Sequence, residues 1–550
     1  MGTKPRVPPE AGGIQVNTCH NPLCPQYGRH PQNNSDGKKI RDGFRVVGTG
    51  GGQKALHCAA CGRYNRLRSN QAICEELERL WAPHVPPLGP ACKNNDCENR
   101  HHPLRLHPYE YAGFGTNSSG SRRYRCNRCH KVFSFSPKAT LRQRHPEKNE
   151  AIFRALINKV PMRRICELVE VQPAVLYQRL GFFQKQCNRF ARHAERPLID
   201  GFDVGALNIA IDRQEHSMNW GSAMDRRNAR ITGVASADNH SGYVFGMHFD
   251  HDPSLDIFEV DLHAREIGDL DTYEPFRMYA RLWLPSDQEP DQIVIAKNLP
   301  SMALPATGAR VRRDYTMFAH FHFLKRLLPG ARRIVFYMDH EAGIRSACVS
   351  AFHDDIKNGR VDAFLVKSAK DITIDEKRLS LSRRESQLAK LRRETPDQSD
   401  WLLARSMVEK EYEKVCKQEA ILTRRWVSHP LPNMAEPVKS VCYLTDSGCW
   451  SSQEIANMML WGSLHGVDRF FMKIRRRLSL LERPIHSPSS ARTWLGGSPY
   501  NPEKVLQIVS VFRVAHNYIL TGKDKKTPAM RLGLAEKPYS IQDVLNFDED

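Results

Sequence analysis

Acid is what this sequence has too little of: 61 Asp and Glu stand against 81 Lys and Arg, giving a formal charge of +20 and a pI near 9.4. Such a balance argues against a basic partner and points to a polyanion, nucleic acid rather than a membrane. Long apolar runs are also missing. Nothing approaches the ~18 consecutive apolar residues of a spanning helix, and the stretch from Met1 to Pro9 lacks the apolar core of a secretory signal. The chain therefore reads as soluble and intracellular. In that reducing setting disulfides are not expected, so the fifteen cysteines need another explanation. At 550 residues a single compact core is also excluded, and three or four domains are expected.

Eight of the cysteines form an internal repeat. Cys19 and Cys24 are followed after 33 residues by Cys58 and Cys61; Cys92 and Cys97 are followed after 28 by Cys126 and Cys129. Each set supplies the four thiolates of a closed tetrahedral zinc site, and the C-x2-C knuckle lets two sulfurs face one ion. Two zinc ribbons are predicted, over residues 1–90 and 91–140, with two structural Zn2+. His20, His57, His101 and His130 lie close enough in sequence to replace a cysteine, but read better as neighbours of the sites.

Residues 141–195 read as helical. Ile152, Leu156 and Ile157 mark one helix and Met162, Ile165 and Leu168 a second; Val169-Glu170-Val171 then breaks the chain before Pro173, which suits the first position of a third helix. This is the punctuation of a helix-turn-helix. Gln172, Ala174, Val175, Tyr177, Gln178 and Arg179 would then face bases, and Arg163 and Arg164 would hold phosphate. A plain three-helix packing unit is the alternative.

Further on, Leu207, Ile209 and Ile211 alternate with Asn208 and Ala210 before Asp212, as in a half-buried strand that ends in an acid. Arg230–Ala235 and Tyr243–Phe249 are two more β-rich runs, joined by turn-forming Asp238-Asn239-His240-Ser241-Gly242. A second strand with a terminal acid, Ile334–Asp339, precedes a helix from Glu341 to about Phe352 and another apolar run, Ala363–Val366. Three antiparallel strands and then strand, helix, strand is the order of an α/β ribonuclease H-like domain. Its core is assigned to residues 200–366 and 431–520. Between them, residues 367–430 read as a helical hairpin broken at Thr395-Pro396-Asp397, either a contact arm for DNA or a second subunit, or a solvated structural one. Ser452 to Glu482 reads as one helix, or two joined near Gly462 or Gly466. Near its end Asp468 precedes Lys473, Arg475, Arg476 and Arg477. An acid followed at helical spacing by cations suits a helix that cuts DNA, with the carboxylate toward metal and the cations along phosphates; a basic solvated face balanced by Asp468 is the plain alternative.

Together, Asp212, Asp339 and an acid-bearing, Arg-rich helix resemble the DDE-type transposases of bacterial insertion sequences. The tail, residues 521–550 with the segment just before it, adds Asn517-Tyr518, Thr527-Pro528-Ala529 and Gly533-Leu534, similar to the N-Y, T-P-A, G-L ending of those enzymes. The resemblance implies a nucleoid-associated enzyme that binds double-stranded DNA as a homo-oligomer and both cleaves and joins strands. It implies Asp212, Asp339 and Asp468 as ligands of two Mg2+ or Mn2+ ions, which favour hard oxygen donors. The family's third acid is usually Glu, which leaves Glu454 and Glu482 open beside Asp468; Val467 and the Arg run favour Asp468. Two other readings use the same residues differently: a domesticated transposase that binds DNA as a regulator or defence component without cutting, and a metal-dependent nuclease without strand transfer.

Overall fold

The computed structural model describes residues 6–31, 43–50, 52–118, 120–135, 140, 143–219, 228–287, 304–369, 372–419, 421–431, 436–446, 448–483, 485–486, 493–494 and 496–548. The chain folds as two compact units, each built from separate stretches: Met1–Leu80, Leu198–Lys473 and Arg483–Glu503 in the first, Trp81–Pro197, Ile474–Glu482 and Lys504–Asp550 in the second. These cross the boundaries expected from sequence. The first ribbon belongs with the strand-rich region, and residues 504–520 belong with the helical region.

Alternating apolar residues build the centre of the first unit. The strands are β1 (Ala206–Met218), β2 (Ala229–Asp238), β3 (Val244–Phe249), β4 (Arg333–Asp339), β5 (Val361–Ser368), β6 (Trp426–Ser428) and β7 (Lys439–Tyr443). They form one sheet in the order β6-β7-β5-β4-β1-β2-β3. β1, β2 and β3 are antiparallel neighbours, whereas β4 is parallel to β1 and β5 parallel to β4. Ile334–Met338 of β4 is buried throughout, as expected of a parallel strand covered on both faces. Two helices help to bury this sheet: Arg313–Leu327, with Phe318, Phe321, Phe323 and Leu324 inside, and Ala342–Ala351.

Asp212 was expected to end its strand. It stands instead in mid-strand, because β1 runs six residues further, pairing Arg213 with Val234 through Met218 with Ala229. Gln214, His216 and Met218 are buried there, so the period of two persists while polar side chains disguise it. The hairpin of residues 367–430 forms from two helices, Ile374–Glu394 and Asp400–Gln418. A Thr373 capping box starts the first, and Arg392 bridges to Asp400 (2.7 Å) and Glu385 (2.6 Å). Leu388, Val408 and Tyr412 are buried. Ser452 to Glu482 divides into helices Ser452–Leu460 and His465–Arg477, with Gly462 at the break.

The first ribbon is part of this unit's core. The Tyr27 hydroxyl donates to the Val349 carbonyl (2.7 Å), and Arg68 pairs with Asp314 (2.6 Å). In the helix Asn70–Trp81, buried Glu76 accepts from Arg79 (2.5 Å), Arg281 (3.0 Å) and the Thr316 hydroxyl (2.8 Å). Burial opposes its ionisation, but the two guanidinium groups win and its pKa falls.

The second unit contains the second ribbon, with strands Tyr111–Thr116, Arg122–Cys126 and Val132–Phe135, and the helices Asn149–Leu156, Met162–Val169 and Pro173–Ile199. Glu170 ends the second of these helices in the left-handed region (φ 53°), at the break expected there, and Pro173 opens the third. Ile152, Phe153, Ile165, Leu176, Leu180 and Phe183 form the core. The tail motif is structural here: Asn517 and Tyr518 are buried, Tyr518 packs edge-on against Phe190 (5.1 Å), Thr527 caps the helix Pro528–Leu532, and Gly533 closes it at φ 84°.

Within this second unit, fully buried Glu195 accepts from Arg513 (2.6 Å) and meets His84 (3.0 Å). Burial alone would raise its pKa, but the Arg513 charge and the His84 contact bring it down to about 2. Since that lies below the unfolded value of about 4.3, the pair contributes stability that is present above pH 4.3 and lost as pH falls through about 2. Replacing Arg513 with Met is expected to destabilise this unit by roughly 3 kcal/mol, because it strands a buried carboxylate. The loss should shrink as acid approaches the Glu195 range, and urea unfolding at pH 7 and pH 3 measures both.

Candidate functional site

Among the described residues, three groups of His, Cys, Asp or Glu bring their ligand atoms within 4.8 Å of one another. Two are the predicted cysteine quartets. Cys19 lies 3.6 Å from Cys61 and Cys24 3.7 Å from Cys58; Cys92 lies 3.3 Å from Cys129 and Cys97 3.8 Å from Cys126, sulfur to sulfur. Four sulfurs at ~2.3 Å from a tetrahedral ion would sit ~3.8 Å apart, so both quartets can bind zinc. Their surroundings help. The Gln26 backbone amide donates to the Cys24 sulfur (3.4 Å), and the Asn99 side chain to that of Cys126 (3.4 Å). The Lys131 backbone amide draws the Cys129 thiol down to about 6, whereas burial pushes Cys92 up to about 12. A dication displaces the protons of all four thiols, so metal binding and local folding are coupled. None of the four histidines flanking the cysteines joins a quartet.

The acidic residues arise from the sheet. Met338 of β4 pairs in parallel with Ile211 of β1, so one step further Asp339 and Asp212 stand beside each other on the same face. β4 ends at Asp339 while β1 continues to Met218. The Arg213 backbone amide donates to an Asp212 carboxylate oxygen (2.7 Å), and the Arg213 guanidinium pairs with Glu341 (2.5 Å). The Glu341 backbone amide donates to the Asp339 carbonyl (2.7 Å). Burial raises the Glu341 pKa, with Arg213 opposing and Asp339 adding to the rise. Glu341 was not a candidate from sequence; the signal was its place two residues past the strand-end acid, at the start of a helix.

Asp468 sits exposed in the first turn of His465–Arg477. The start of that helix docks on the β2–β3 turn: Asn239 accepts from the Gly466 amide (3.0 Å), donates to the Ser463 carbonyl (2.8 Å), and its own amide donates to Asn208 of β1 (2.7 Å). A Cβ on Gly466 would lie 2.8 Å from the Asn239 side-chain oxygen, so glycine permits this approach. Asp212, Asp339 and Asp468 do not form a group within 4.8 Å of one another. The other two acids have structural partners. Glu454 closes a capping box with Ser451, and Glu482 pairs with Lys159 (2.7 Å).

No protein-family model matches this chain, and neither does any curated protein.

Of the residues expected to meet DNA, Arg163, Arg164, Gln172, Ala174, Tyr177 and Gln178 are exposed, and Val175 is half-buried. Arg164 pairs with Glu167 (2.6 Å). Arg179 departs from expectation: it is only 6% exposed and its guanidinium donates to the Arg144 carbonyl, because its helical position faces the core beside Leu180. Arg477 also serves structure, donating to Asn158 (3.1 Å) while its carbonyl accepts from the Lys159 amide (2.6 Å). Arg476 is exposed; Lys473 and Arg475 are half-buried. The second ribbon adds a face that sequence reading passed over, with Arg123 and Arg125 lying 4.9 and 5.9 Å from the ring of exposed Phe114. The run Arg122-Arg123-Tyr124-Arg125 ahead of the C-x2-C knuckle was its signal.

Cys58→Ser and Cys126→Ser are each expected to remove one of two tightly held zinc ions, read by metal analysis after chelator treatment. An unchanged zinc content would refute the quartets. Arg179→Met should lower the melting temperature, with DNA affinity reduced only in proportion to the unfolded fraction.

Proposed function

We propose that this protein is a DNA-processing enzyme with a ribonuclease H-like core, a transposase that cleaves and joins strands with divalent metal. The observation that carries the reading is the strand order β3-β2-β1-β4-β5, antiparallel then parallel, with Asp212 and Asp339 side by side where the two parallel central strands meet. In open α/β sheets, ligands bind outside the carboxyl ends of such strands. Hard carboxylate oxygens placed together suit Mg2+ or Mn2+. Two such ions, when bound, activate the attacking oxygen and stabilise the leaving oxygen of an in-line displacement at phosphorus.

The chain's own residues have separable parts in this reading. Asp212 and Asp339 are the ligands, and the Arg213 amide orients Asp212. Glu341, paired with Arg213, neutralises that cation beside the site and keeps it from competing for the carboxylates. Asp468, carried on a helix whose start is pinned by Asn239, is the third acid. Both chemical steps use an oxygen of water or of DNA as nucleophile, so no nucleophilic side chain is required. The exposed residues of Pro173–Ile199, helped by the Arg123–Phe114–Arg125 face, are the proposed DNA contacts, and a basic chain of +20 supports a salt-sensitive grip. That Asp212, Asp339 and Asp468 do not form one group within 4.8 Å favours a second reading, a DNA-binding protein of the same fold that no longer cuts.

Asp212→Asn and Asp339→Asn keep side-chain volume but remove charge. Each is expected to cut Mn2+-dependent cleavage of duplex DNA by at least ~100-fold, beyond the 10–100-fold typical of a residue behind the ligands, with melting temperature and DNA retention unchanged. Glu341→Gln should cost about 10-fold. Normal cleavage by both aspartate variants would overturn the metal mechanism; absence of cleavage in the parent, with DNA binding intact, would favour the non-cutting reading.

A further inference from the structure

Three side chains outside both cysteine quartets converge on one another in the second ribbon. His102, His107 and Glu110 bring their ligand atoms within 4.8 Å of one another. Nδ1 of His102 lies 2.8 Å from the Glu110 carboxylate and Nδ1 of His107 lies 3.9 Å from it. The two imidazoles stack, with centroids 4.5 Å apart and planes at 22°. Ligands at ~2.0–2.1 Å from a tetrahedral Zn2+ are about 3.3 Å apart, between the two nitrogen–oxygen separations. Because a bound ion lies in the plane of each imidazole, the two half-exposed rings must also turn out of their stack to aim both nitrogens at one ion.

The short loop carrying them is held in place by the quartet below it. Buried Tyr111, packed with Cys92, Cys97 and Cys126, places its hydroxyl 2.6 Å from the His102 carbonyl and accepts from the Cys92 amide (3.1 Å). The loop also closes on itself, the His107 amide donating to the Pro103 carbonyl (3.0 Å) and the Glu110 amide to the His107 carbonyl (3.1 Å). The backbone positions of all three ligands are therefore set before any ion arrives, which lowers the ordering cost of binding.

We propose that His102, His107 and Glu110 form a third metal site, for a borderline divalent transition cation such as Zn2+. Two imidazoles and one carboxylate suit Zn2+, Ni2+ or Cu2+ and disfavour Mg2+ or Ca2+, which want oxygen donors. The side chains are 38%, 41% and 32% exposed, so a cation reaches them from solvent. Three protein ligands leave the fourth position to water, unlike the closed quartets. The site is exchangeable where they are structural.

The test uses full-length protein stripped of loosely held metal by a weak chelator, with both quartets left filled. Calorimetric titration with Zn2+ should find one further equivalent. His102→Gln with His107→Gln should weaken that equivalent by about 100-fold or more, given that even residues behind the ligands account for 10–100-fold, while the two chelator-resistant ions remain. If the double variant also loses quartet zinc, Glu110→Gln alone is read, and a weakened third equivalent is again expected. A parent that takes up no third equivalent, or a Glu110→Gln protein that binds it as tightly as the parent, would overturn the site.

Discussion

The parallel pairing of β4 with β1 is the constraint on which the central architecture turns. A hairpin sets its register locally, but these strands are far apart in sequence, and only the fit of two apolar runs fixes how they slide. Ile334–Met338 lies against Leu207–Ile211 in a register that buries every one of these side chains but the half-buried Asn208. Its by-product is that Asp212 and Asp339 come to neighbouring positions on adjacent strands, on one face of the sheet. Hydrophobic burial of the strands, rather than any attraction between the two acids, sets that placement.

The two cysteine quartets show how similar local chemistry reaches different ends. Each ribbon repeats four sulfurs on a three-stranded sheet, yet the first is welded to the central sheet's unit by Tyr27, Arg68 and the Glu76–Arg79–Arg281 cluster. In that setting its quartet supports the core. The second keeps a cation–aromatic face and an imidazole loop open to solvent. Of the two quartets, one lies among contacts to its unit's core and the other beside groups that stay open to solvent.

Much of this was legible in the residues. Alternation marked β1, β4 and β5 because those strands bury apolar side chains at every second place or at all of them, and the cysteine spacing marked both quartets because a small ion tolerates few geometries. The break at Glu170 and the proline after it were visible for a similar reason, since local backbone preference is carried by few residues. What hid was burial of charge. Glu76, Glu195 and Arg179 look like surface residues in sequence, and only tertiary partners reveal them as interior. The continuation of β1 past Asp212 hid behind polar side chains. The grouping of distant segments into two units was illegible as well, for periodicity tells which face is apolar but not what covers it.

That interleaving bears on how the chain is made. The first unit needs residues up to Arg483–Glu503 and the second needs Lys504–Asp550, so neither is complete until Glu503 or later residues have left the ribosome. Domains usually fold as units from the N-terminus during synthesis. Here the first ribbon is made well ahead of Glu274, Asp314 and Val349, its partners in the same unit. Until those partners are made, Tyr27 and the other side chains that they bury have nothing of the sheet's unit to pack against.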